Sequence, residues 1–108
     1  MKKAKRARLE RAGWRVATVR EFLQLSDEEA SLIEMKLALS AGLRRRRERQ
    51  GLTQTQLAKL IDSSQSRVAK METGDRTVSL DLLVRSLLKI GTSRQELARM
   101  ISSSRRAA

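Results

Sequence analysis

The sequence predicts an all-α fold assembled from short, capped helices. Proline is absent, and β-branched residues are few beside Ala, Leu, Arg, Gln and Glu, a composition that favours helix over strand. Apolar residues recur at three- and four-residue steps rather than alternating. Ser or Thr followed three residues later by Glu or Gln occurs at Thr18–Glu21, Ser26–Glu29, Thr53–Gln56 and Ser93–Glu96. At that spacing the hydroxyl accepts from an orphan amide of the first turn, and the longer side chain returns to the amide of the cap.

Taken in chain order, residues 1–15 carry seven basic residues and one acid. They read as either a disordered arm or a short basic helix that orders on a partner. Thr18 opens a short helix over about 19–25, with Phe22, Leu23 and Leu25 available for burial. Ser26 opens a longer helix whose Leu32, Met35, Leu39 and Leu43 form one apolar stripe. Ser40 and Gly42 make a weak point, so residues 26–50 form either one helix or two that meet there. Gly51 is the stop, because glycine accepts the left-handed conformation at little cost.

Thr53 opens a helix over 54–61 with Leu57, Ala58 and Ile61 inward, and Asp62 and Ser63 make a turn. Ser64 caps a helix over 65–73, anchored by Val68 and Met71 and ended by Gly74. Val78 before the cap Ser79 is placed to staple onto Leu83, starting a helix to Ile90 with Leu80, Leu83, Leu87 and Ile90 inside. After Gly91, Ser93 caps a last helix over 94–101 with Leu97, Met100 and Ile101 apolar. Residues 102–108 are expected to fray.

Composition narrows the function. The 24 Lys and Arg against 12 Asp and Glu give a net charge of +12, which favours a polyanionic partner because neutralised phosphates release condensed counterion. No run approaches the roughly 18 to 20 apolar residues needed to span a bilayer, and residues 1–20 lack the apolar stretch of a secretion signal. Without cysteine there is no thiolate nucleophile or Cys-ligated zinc, and without histidine the commonest general base is missing. The acids are scattered, and Asp27, Glu28 and Glu29 sit where a helix N-terminus favours negative charge. We expect no enzyme, no cofactor and no metal.

Two helices joined by a turn of a few residues, with small Ala58 at their crossing and Val68 and Met71 on the buried face of the second, have the spacing of a helix-turn-helix. In this register the segment RRRRERQGLTQTQLAKLIDSSQSRVAKMETGDRTVSLDLLVRSLLKIG resembles the Cro and repressor helix-turn-helix family, also called the xenobiotic-response-element type. GLTQ, the Leu57–Ala58 pair, the SQS-R-V run and the E-x-G at 72–74 carry the resemblance. One position departs from it: the turn residue that is usually glycine is Asp62, which tolerates left-handed backbone better than most residues but less well than glycine.

The resemblance implies a five-helix domain over 40–101 that lays helix 65–73 in the major groove of DNA. Gln65 is the candidate for a bidentate contact to adenine, with Ser66 and Lys70 on the same face and Lys70 able to donate to guanine. Gln54 and Ser64, at helix starts, are candidate phosphate contacts, as are Arg76 after Gly74 and Arg67, for which base reading is the other option. Arg47 corresponds to a family arginine that pairs with the glutamate of E-x-G, here Glu72. The pair is expected to tie the first helix to the reading helix and to orient Arg47 toward phosphate. Arg44, Arg45, Arg46 and Arg49 spread around their helix and are expected to be mostly solvated.

A domain of this size reads few base pairs alone, so a homodimer is expected, with half-sites roughly 34 Å apart. Its candidate surfaces are Leu97, Met100 and Ile101 or the stripe on 32–43, unless both stripes are filled within one core. Residues 16–39 form a helical extension between the basic arm and the domain. The stretch 13–39, with Gly13–Trp14 and an S-x-E-E-A helix, is similar to the extension of HigA-type antitoxins. That resemblance implies an autoregulating repressor in a bacterial-type, nucleoid-associated cytoplasmic setting, with an RNA-cleaving toxin as partner. Trp14 and Phe22 are candidate toxin contacts, or else fold back onto the core. The rival reading is a basic nucleic-acid-binding or architectural module without sequence preference. The scarcity of aromatics, at 2%, counts against single-stranded RNA.

Overall fold

The computed structural model describes residues 26–104. Among these are five helices and no strand: α1 (Asp27–Arg49), α2 (Gln54–Leu60), α3 (Gln65–Thr73), α4 (Leu80–Lys89) and α5 (Arg94–Ser104). The expected helix over 19–25, Thr18, Trp14 and Phe22 lie outside the described residues.

Each start follows from its cap. Ser26 and Glu29, Thr53 and Gln56, and Ser93 and Glu96 form reciprocal capping boxes, while Ser64 and Ser79 accept from the amides of Arg67 and Leu82. Each box removes two orphan donors at a helix end. Some boundaries differ from expectation: α2 and α4 each end one residue earlier, and α5 runs three residues further.

The core draws on every helix. Leu39 and Leu43 from α1, Leu57 and Ala58 from α2, Val68 and Met71 from α3, Leu83 and Leu87 from α4 and Leu97 from α5 bury together with Ile61, Val78 and Ile90. Burial of one such large side chain contributes about 1.5–3 kcal/mol, so this one cluster dominates the fold. Helix α1 packs against α3, α4 and α5, and α2 packs against α3. No helix of the described residues is long and apolar enough to cross a membrane.

Three expectations about α1 need correction or resolution. The helix is continuous over 23 residues, so the division expected at 39/40 falls inside it. Ser40 and Gly42 are no weak point, since both are buried and the missing Cβ of Gly42 makes room for α5. A Cβ built there would stand 2.5 Å from the Met100 sulfur. The apolar stripe divides: Leu39 and Leu43 are fully buried, whereas Leu32 is 43% exposed and Leu37 45%. Leu80 is likewise only partly buried, packed at the edge of the core. In the last helix Leu97 is core, and Met100 and Ile101 are partly buried against it.

Candidate nucleic-acid interface

The turn between α2 and α3 sets the site. Asp62 takes φ +56°, the left-handed conformation its position demands. A buried Ile61 on one side and the Ser64 cap on the other fix α3 relative to α2. Val68 and Met71 bury the inner face of α3. Gln65, Ser66, Arg67 and Lys70 are exposed on its outer side, so the amphipathic pattern presents hydrogen-bonding groups and positive charge to solvent.

Behind this face lies a buried ion pair. Arg47 donates from Nε to Glu72 at 2.6 Å and from a terminal nitrogen at 3.0 Å, and its other terminal nitrogen donates to the Leu52 carbonyl at 2.8 Å. Only 12% of the Arg47 side chain and 3% of that of Glu72 are exposed. With its donors directed inward, Arg47 ties α1 to the end of α3. This geometry fits the structural half of its expected role: the Nε and both terminal nitrogens each make a bond within the domain.

Gln54 joins this network to the outer face of α3. Its amide nitrogen donates to Glu72 at 3.1 Å, and its oxygen accepts from the Gln65 amide at 2.7 Å. Ser64, besides capping α3, has its hydroxyl 3.3 Å from that of Ser66.

A shallow recess of about 230 Å³ opens beside α3, lined by Ser64, Ser66, Arg67, Lys70, Thr77 and Val78. Its two cations and three hydroxyls suit an oxyanion such as a backbone phosphate. Thr77 was not among the sequence-based candidates. The Asp75-x-Thr77 spacing of an Asx turn was the available signal, and the Asp75 carboxylate indeed accepts from the Thr77 amide and hydroxyl. Those two bonds, the hydroxyl first, hold the Asp75 carboxyl below its ordinary value. Arg76 between them is exposed.

The arginines of α1 divide by role. Arg44 pairs with Glu48 at the surface, and Arg45 and Arg49 are exposed. Arg46 is the exception among the four: it donates to Glu96 at 2.6 Å and to the Gly91 carbonyl at 3.0 Å, clamping the start of α5 onto α1.

Residues 43–85 match the family model described as helix-turn-helix. Neither curated proteins nor solved structures give a match. The matched span begins at the buried Leu43 near the end of α1 and runs through α2, the turn, α3 and the first part of α4, the elements that hold the exposed face of α3 in place. Over residues 43–85 the chain is similar to the helix-turn-helix family of the Cro/C1 type, a similarity that supports a DNA-binding regulator.

Proposed function

We propose that the protein is a sequence-specific repressor that reads double-stranded DNA with α3. The observation that carries this reading is the row of exposed side chains Gln65, Ser66 and Lys70 on a helix whose opposite face is core. Glutamine matches adenine and lysine matches guanine in the major groove. Gln54, Ser64, Arg67, Thr77 and Arg76 flank that row, as backbone contacts that fix register would. Reading so few base pairs per domain favours a homodimer on a two-fold site. The resemblance of residues 13–39 to antitoxin extensions supports, within this reading, an autoregulating antitoxin with a toxin partner. Trp14 and Phe22 would be its contacts.

Competition between duplex from the protein's own upstream region and random duplex, at two salt concentrations, tests the proposal. A sequence-specific repressor keeps its preference for the upstream duplex at the higher salt. A binder that works by charge alone loses both duplexes in parallel.

A further inference from the structure

The loop that carries Arg76 is held from outside by α1, at a point that core packing does not explain. Gly74 ends α3 with φ +74°, and the amide of Asp75 returns to the Lys70 carbonyl at 3.1 Å. Further on, the Val78 amide bonds the Asp75 carbonyl at 3.1 Å, and Val78 is buried. Both ends of the loop are therefore fixed by the domain itself.

Two neighbouring residues of α1 add contacts from outside, Lys36 at the middle of the loop and Leu37 at its Gly74 end. Lys36 Nζ donates to the Arg76 carbonyl at 3.5 Å, across 40 positions of sequence. Leu37 rests on the α-carbon of Gly74, its Cδ2 only 2.7 Å from where a Cβ would stand. Leu37 is nevertheless 45% exposed and lies outside the core cluster. Its closest service is to the loop rather than to the fold.

We propose that Leu37, with Lys36 beside it, is a positioning residue for Arg76, so that α1 pre-sets the loop for its phosphate contact. The proposal rests on the DNA-binding reading and deepens it. A loop already held in its bound geometry loses less conformational freedom on binding, and the saving appears as affinity. Because Arg76 is read as a backbone contact rather than a base contact, the effect is expected to be the same for every sequence.

The test measures affinity for upstream duplex and for random duplex over a range of salt, using the full chain and the variants Leu37→Ala, Leu37→Met, Arg76→Ala and Leu37→Ala/Arg76→Ala. Arg76→Ala is expected to lower the slope of log affinity against log salt by about 0.9, the amount of one phosphate contact. Leu37→Ala is expected to lower the slope equally and to weaken both duplexes roughly threefold to tenfold, about the worth of one hydrogen bond. Leu37→Met, which keeps the volume, restores both, and Leu37→Ala adds nothing once Arg76 is alanine. An unchanged slope in Leu37→Ala, or losses that add in the double variant, overturns the proposal. A variant that was merely destabilised would bind with lower active fraction and an unaltered slope. If the wild type binds DNA but Arg76→Ala changes nothing, the positioning proposal falls alone. If the wild type binds neither duplex, the DNA reading falls with it.

Discussion

The Gln65 side-chain amide donates to Gln54 at 2.7 Å, and Gln54 is itself held by the buried carboxylate of Glu72 at 3.1 Å. The first residue of α3 is thus connected, through one intermediate, to the ion pair that joins α1 to α3. The bond leaves the Gln65 oxygen and one N–H for a partner, the acceptor and donor that adenine requires.

Gln65→Ala is expected to cost about 1–3 kcal/mol on the preferred duplex and to relax preference at one or two base pairs. Gln54→Ala is expected to weaken binding to all sequences, as loss of a backbone contact would, and through release of Gln65 also to blunt selectivity. Titrations against single-base-substituted duplexes separate the two effects.

Glu72→Ala is expected to destabilise the domain by about 3–5 kcal/mol, because it strands a mostly buried guanidinium and the amide of Gln54. Arg47→Met combined with Glu72→Leu recovers much of that loss, since neither buried charge then lacks a partner. Denaturant unfolding of the three proteins checks both statements.

Asp62→Gly is expected to stabilise the protein by up to about 1 kcal/mol. Glycine takes φ +56° without strain, and part of that gain is offset by the greater freedom of the unfolded chain. Asp62→Val, with a branched Cβ in the same conformation, is expected to destabilise. Thermal unfolding reads the sign directly.

The amide of Ser93 and then the Arg46 guanidinium hold the Glu96 carboxyl below its ordinary value. A depressed folded value means that the stabilisation is fully present above the unfolded value of about 4.3. It is lost as pH falls through the lower, folded value. Glu96→Gln is expected to lower the melting temperature near neutral pH and to flatten its fall between about pH 4.5 and acid, as a melting series over pH would show.

What could be read in advance follows from the range of the interactions involved. The caps at Ser26, Thr53, Ser64, Ser79 and Ser93 act within three residues, so local spacing reveals them. The inward face of α3, through Val68 and Met71, follows from helical period alone. The reason for a glycine at 42 is Met100, 58 positions away, which packs where a Cβ would stand, and local signals at a glycine point instead to a break. The clamp of Arg46 on Glu96, the bridge through Gln54 and the seat of Leu37 on Gly74 are likewise contacts between distant segments. No periodicity encodes them.

The central claim is that the outer face of α3 reads bases. Its most direct test is enrichment of duplexes from a random pool by the wild type and by Gln65→Ala under identical salt. The account predicts that the wild type enriches a discrete motif, and that the variant enriches the same motif with adenine preference erased at one or two positions. A wild-type pool without enrichment, or an unchanged motif with Gln65→Ala, would contradict it.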